Sequence, residues 1–267
     1  MDYVTTVLRK IYPLYIREWI SWRVQKYCHN LKEKNVRLEF NSKVFLDLCK
    51  HDIGHKSIIL NGFYELMLTR ELIKKGQEMR VMFDVGSNYG YFSCLWASLN
   101  INNKVYAFEA SPENIRPLYH NILKNNLSDK ITVIPVAVGK NLGTHKFNAE
   151  RNENQTGWGG LSFDNSTDSL EVDMITLDKY ADDNSIEQID VLKIDTEGAD
   201  TWVLYGAKNL LKNKKIKHIF YEQNFDRMKL LNIKTDDALL FLESYNYKVR
   251  SVSATDFYAF PDTDLSY

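Results

Sequence analysis

What this sequence lacks narrows it first. Only three cysteines, Cys28, Cys49 and Cys94, are scattered over 267 residues. Their odd number and wide spacing exclude a disulfide framework and a Cys-x-x-Cys metal site, so free thiols in a reducing compartment are expected. Neither sign of charge is in excess. The 34 Lys and Arg against 35 Asp and Glu exclude a nucleic-acid-binding polycation and an acidic tail. No apolar run reaches the roughly 18 residues of a membrane-spanning helix. Arg9, Lys10 and Arg17 interrupt the N-terminal apolar residues, so the h-region of a signal peptide is missing as well. A cytoplasmic chain is the resulting expectation, one in which the sequons at Asn126, Asn154 and Asn165 stay unmodified. The Walker Gly-Lys-Ser/Thr pattern and internal repeats are also missing.

What is present is ample core material. With 44% hydrophobic residues the chain can form one large α/β domain with an appendage. Residues 1–32 place Tyr3, Val7, Ile11, Leu14, Trp19, Ile20 and Trp22 at roughly helical spacing, broken near Pro13, among six basic and two acidic side chains. The simpler reading is a helical appendage packed on the main domain or on a second subunit, as in a homodimer. The sharper one is a basic amphipathic helix lying on an anionic membrane surface. Val36, Leu38 and Phe40, then Val44, Leu46 and Leu48, alternate with polar residues around Asn41-Ser42, a hairpin pattern. A third strand is expected at Ser57–Leu60 after a turn at 51–54. That context argues against His51 and His55 sharing a helical face as metal ligands.

From residue 81 strands and helices alternate at the spacing of crossover units. Strands are expected at 81–84, 105–108, 131–138, 171–178, 189–195 and 216–222. Helices are expected at 92–99, 112–125 with Pro117 inside, 199–211 and 235–244. Two short strands at 247–252 and 257–260 would close the sheet as an antiparallel hairpin. The expected organisation is an N-terminal helical and hairpin appendage over 1–56 and an α/β domain over 57–267, its sheet mostly parallel.

The stretch VMFDVGSNYGYFS at 81–93 reads as buried strand, glycine turn and helix start. In an open α/β sheet such a turn faces the ligand crevice. A dinucleotide fingerprint counted from Gly86 needs glycine at Asn88 and a small residue at Tyr91, so it fails twice. What remains is D-x-G-x-N-x-G followed, 19 residues after Gly90, by Glu109 at the end of the second strand. S-adenosylmethionine suits this set. Its carboxylate can meet N–H groups of the turn, its cationic centres favour carboxylates, and its ribose diol can bond to the two oxygens of Glu109.

NGFYE at 61–65, FDVGSNYGYFS, AFEASPENIRPLYHNILKN, VDMITLDKY and DVLKIDTEGADTWVLYGA together resemble the successive motifs of the FkbM-type S-adenosylmethionine-dependent methyltransferases, over roughly residues 55–225. The resemblance implies a class I methyltransferase fold, Rossmann-like, with a seven-stranded sheet, and O-methylation of sugar or natural-product hydroxyls. By the family pattern Asp84, Gly86, Ser87, Asn88 and Gly90 would line the methionine part. Glu109 would hold the ribose, Asn114 would cap the following helix, Ala137 would lie near the adenine, and Glu65 would reach the cofactor. The chain departs from the pattern at Ser87, where relatives usually carry Ala, and at Gln223-Asn224, where many carry a His after the strand-end Glu.

An aliphatic hydroxyl needs a base to accept its proton, worth roughly 10² to 10⁴ in rate. Asp195 ends a buried strand, where a charge is costly without a purpose. Glu197 would point to the same side in an extended segment, and Glu222 ends the adjacent strand. Repulsion among these three would raise one towards a useful base. Alternatively Asp195 and Glu222 would offer hard oxygens to a divalent cation such as Mg²⁺. Lys193, one register back, could pair with one of the carboxylates and face substrate. Trp158, between glycines, either stacks on a sugar acceptor or plugs the core edge. The expected function is O-methylation of a sugar or glycan acceptor. A natural-product or lipid acceptor, or a non-catalytic cofactor-binding scaffold, are the alternatives.

Overall fold

The computed structural model describes residues 3–148, 160, 161 and 170–262. Two helices, α1 (Tyr3–Leu8) and α2 (Leu14–Val24), open the chain on either side of Pro13. A minimal hairpin follows, β1 (Val36–Arg37) antiparallel to β2 (Phe45–Leu46). The expected third strand is instead a helix: α3 (Ile53–Asn61) takes up Gly54, His55 and residues 57–60. Local signals start and stop it. The Asp52 carboxylate accepts the His55 N–H at 2.8 Å as an N-cap, and Gly62, at φ 81°, donates its N–H to the Ile58 carbonyl. Helix α4 (Leu66–Glu78) then leads to the sheet.

Next come β3 (Val81–Val85), α5 (Tyr91–Leu99), β4 (Lys104–Phe108) and α6 (Pro112–Lys124), the last continuing through Pro117. The apolar stretch 131–138 is two strands rather than one. Pro135 has no N–H for a ladder and separates β5 (Ile131–Ile134) from β6 (Ala137–Val138), which lie in different sheets. With β6, strands β7 (Gly143–Asn148), β8 (Gly160–Leu161) and β9 (Leu170–Ile175) form a four-stranded sheet. After α7 (Leu177–Asp183) and β10 (Ile189–Ile194), the helix expected over 199–211 is split into α8 (Asp200–Tyr205) and α9 (Lys208–Lys212). Gly206 lies at the split because the chain packs on Gly139 there. A Cβ on Gly206 would stand 2.2 Å from the Gly139 carbonyl oxygen. The chain continues through β11 (Ile216–Glu222), a short α10 (Phe225–Leu230) that the periodicity did not show, and α11 (Asp237–Ser244). It ends in the expected hairpin of β12 (Tyr247–Ser251) and β13 (Asp256–Pro261).

The main sheet has seven strands in the order β12-β13-β11-β10-β3-β4-β5. From β11 to β5 all pairs are parallel, and β13 runs antiparallel to β11. The strand order reverses between β3 and β10, and ligands of open α/β sheets bind at the carboxyl ends beside such a switch point. Side chains alternate across the sheet. Met82, Val105 and Val191 enter one apolar cluster, while Phe83, Val85, Leu192 and Ile194 enter another on the opposite face. Leu8, Leu14, Leu31 and Val36 of the N-terminal segment share the first cluster. Arg17 fastens that segment. Fully buried, it donates to the Ile11, Arg9 and Asn61 carbonyls and pairs with Glu39 at 2.8 Å. Removing one partner from such a buried pair costs about 3–5 kcal/mol.

Candidate active site

A cavity of about 560 Å³ opens at the switch point. Its wall includes the 86–89 turn after β3, Glu109 to Ser111 after β4, Ala137, and Asp195 to Glu197 after β10. Glu222 ends β11 and Asn224 follows it, and His55 of α3 and Trp22 of α2 close the rim. The turn is forced by the strand beside it. Gly86 has φ 80°, and a Cβ there would stand 1.8 Å from the Asp195 carbonyl oxygen, so only glycine fits.

The turn's donors differ from the sequence expectation. The Gly86 and Ser87 N–H groups both donate to the Phe108 carbonyl at 3.0 Å, and the Gly90 N–H donates to the Ser87 carbonyl at 2.9 Å. The Asn88 N–H donates to Glu109 Oε2 at 2.7 Å. These four groups are therefore already used within the protein, rather than aimed at a cofactor carboxylate. Glu109 is buried on the cavity wall, where its Oε1 also accepts the Ser111 N–H at 2.8 Å and the Asn114 side-chain amide at 3.4 Å. A carboxylate has about four acceptor sites, so capacity for a ribose diol remains. Ser111 is the N-cap residue of α6, and Asn114 lies inside the helix, bonding to Glu109 rather than capping.

Asp84, Lys193 and Asp195 form the base of the site. Lys193 pairs in register with Asp84 across β3 and β10, and Asp195 is two residues on, which puts all three on one face. The buried Lys193 ammonium lies 3.3 Å from Asp195 Oδ2, 3.6 Å from Asp84 Oδ1 and 3.3 Å from the Gly86 carbonyl. Burial works against its charge, but Asp195 and Asp84 outweigh burial and its pKa is raised. Asp84 does not reach the cavity. It is fully buried behind the wall, where it accepts from Ser93 Oγ at 2.6 Å and ties β3 to α5. Glu65 and Gly90 also stand outside the wall.

The carboxyl groups do converge. Burial, and after it the charge of Asp195, raises Glu197 and Glu222 well above the ordinary carboxylate range. The same two causes bring Glu65 to about 8 and Asp200 to about 6. Residues 195–197 are not extended, because Glu197 takes φ 53° and Gly198 φ 96°. Glu197 is held instead by Asn224, whose side-chain amide donates to Oε2 at 2.9 Å. Asp200 accepts the Glu222 N–H at 3.1 Å and the Thr196 hydroxyl at 2.7 Å, joining the ends of β10 and β11. Among the described residues no group of three or more His, Cys, Asp or Glu is disposed to hold a metal ion. Trp158 lies outside the described residues.

His55 and Asn224 are site residues the sequence did not single out. His55 Nδ1 accepts the Cys49 N–H at 3.2 Å, so in the neutral ring Nε2 carries the proton and donates to Asn88 Oδ1 at 3.2 Å. Burial lowers the His55 pKa and favours that neutral form. The signal was Asp52 three residues ahead, a helix N-cap that puts His55 one turn into α3. Asn224 both caps α10 and fixes Glu197.

The chain is similar to several known methyltransferases. The hexuronic acid methyltransferase AglP of Haloferax volcanii is 27% identical over 146 residues, which are 54% of this chain and 56% of that protein. The chain thus spans about half the length of that curated relative. Among solved structures, a precorrin-6y C5,15-methyltransferase from Geobacter metallireducens aligns with a TM-score of 0.45 and 13% identity, covering 73% of this chain and 88% of the other. An O-methyltransferase from Bacillus cereus in complex with SAH aligns with a TM-score of 0.43 and 14% identity, covering 75% and 82%. Residues 84–249, from the acid of the glycine turn to the last hairpin, match the methyltransferase FkbM domain, and the chain belongs to that family.

Proposed function

We propose that this methyltransferase uses S-adenosylmethionine to methylate a hydroxyl oxygen of a sugar or glycan. The observation that carries the reading is one cavity with two chemistries. A buried carboxylate with spare acceptor capacity, Glu109, stands on the β4 side, and carboxyl groups gathered around the charge of Asp195 stand on the β10 and β11 side. The cavity volume is within the range of small-molecule sites, about 300–1,000 Å³. When bound, the cofactor supplies a methyl group on a cationic sulfur. Glu109 would hold its ribose, Ala137 and Ser87 would border it, and the charge of Asp195 favours a cation.

The chain's own residues then do the proton chemistry. Asp195 accepts the hydroxyl proton at a carboxylate oxygen, with Lys193 holding that carboxylate in place. Glu197 and Glu222, kept protonated by burial and by Asp195, donate hydrogen bonds to neighbouring oxygens of the acceptor and orient it. An array of carboxyl and amide groups suits a polyol, and the description of the Haloferax relative as a hexuronic acid methyltransferase supports a sugar. The experiment is methyl transfer from labelled S-adenosylmethionine to a panel of neutral and acidic sugars, with products mapped by mass spectrometry. The reading predicts a sugar methyl ether. Transfer confined to phenols or to nitrogen would contradict it.

A further inference from the structure

The N-terminal helices pack against α3 with one face and leave the other uncovered. On α2 the uncovered face is aromatic. Tyr15, Trp19 and Trp22, spaced four and three apart, lie on one side of the helix with exposures of 62%, 56% and 62%. On α1, Tyr3, Val4 and Val7 are exposed as well. Tryptophan is usually well buried, and an exposed apolar patch of this kind marks an interaction surface. The exposed charges of the segment that carries it are of one sign. Between Tyr3 and Lys32 the exposed charged side chains are Lys10, Arg23, Lys26 and Lys32. Glu18, half-buried in the same groove, has its charge answered within the protein, where its Oε1 accepts the Leu66 N–H at 3.0 Å. Arg23 lies over the Trp19 ring at 3.6 Å, and Lys26 lies over the Tyr27 ring at 4.9 Å, so cations and rings form one surface.

We propose that this face docks on an anionic lipid bilayer. Tryptophan and tyrosine rings suit the level of lipid headgroups, and exposed lysines and arginines complement their negative charge. A protein partner of mixed charge would leave this mainly cationic rim unanswered. The placement also links the surface to the cavity. Trp22 lines both the groove on α2 and the rim of the candidate active site, so docking brings the cavity mouth to the headgroup layer. Among the described residues no helix is long and apolar enough to cross a membrane, so the attachment is peripheral.

The test is sedimentation of the full chain with vesicles of phosphatidylcholine alone and of phosphatidylcholine mixed equally with phosphatidylglycerol. Binding needs neither methyl donor nor acceptor, so its outcome is separate from that of the proposed activity. The expected result is preferential binding to the mixed vesicles, weakened by salt. The variant Arg23→Glu/Lys26→Glu should lose at least about tenfold in partitioning, each basic residue near the surface being worth roughly fivefold. Tyr15→Ser/Trp19→Ser, at exposed positions outside the cavity, should lose partitioning to the same degree while its circular dichroism stays unchanged. Equal or no binding to the two vesicle types would overturn the proposal. So would sedimentation equilibrium showing a dimer that Tyr15→Ser/Trp19→Ser converts to monomer, because the face would then be covered by a second copy.

Discussion

Replacing Lys193 with methionine keeps an unbranched side chain one atom shorter and removes the charge that joins Asp84 to Asp195. Asp84 is left fully buried, with Oδ2 on Ser93 and with Oδ1 deprived of the ammonium 3.6 Å away. Breaking a buried pair by removing one partner costs about 3–5 kcal/mol, against a total stability of about 5–15 kcal/mol. Lys193→Met is therefore expected to lose about 3–5 kcal/mol in urea denaturation at neutral pH. Burial already raises the Asp84 pKa, and loss of Lys193 raises it further. A folded-state carboxyl pKa above the unfolded one gives stability that is present at low pH and lost as pH rises through it. The deficit should therefore shrink as the buffer is made more acidic. Adding Asp84→Asn removes the stranded carboxylate, so the double variant should regain at least about 1 kcal/mol relative to Lys193→Met. A loss under about 1 kcal/mol, or a double variant showing the plain sum of both losses, would refute the reasoning.

Asp195→Asn should lower the methyl-transfer rate by at least about 10²-fold with a much smaller loss of cofactor affinity in calorimetry, because it removes the proton acceptor together with one of the charges that favour a cationic cofactor. Glu65 has a folded pKa of about 8 against an ordinary 4.5, so between these values the folded chain holds a proton that the unfolded chain releases, and stability falls as pH rises through that window. Glu65→Gln should flatten that fall, as read from urea midpoints across the window. In Gly86→Ala the new methyl meets the Asp195 carbonyl at a positive φ, so a loss of at least about 2 kcal/mol and of cofactor binding is expected, checked by thermal melts and titration.

The parallel sheet was legible because its strands are short apolar runs set apart by helical spacing and turn residues, and the glycine turn announced the switch point. Each misread element has an identifiable physical cause. A short apolar run, as at residues 58–60, is the same in a buried helix and a buried strand, and only the Asp52 cap and Gly62 decide between them. The stretch at 131–138 and the helix over 199–211 were divided by Pro135 and by the contact of Gly206 with Gly139, the second being long-range. In the site, strand-end acids were visible as chemistry. The hydrogen bonds that use the turn N–H groups, and the removal of Asp84 from the cavity, are tertiary facts. The role of Asn224 likewise depends on β10 and β11 lying side by side, which no local pattern states.

The central claim is that the cavity at the switch point takes a methyl donor through its ribose and cationic centre. The most direct measurement is calorimetric titration of the purified chain with S-adenosylmethionine. The account predicts saturable binding at one site per chain. A flat titration, with no saturable heat at any donor concentration, would contradict it.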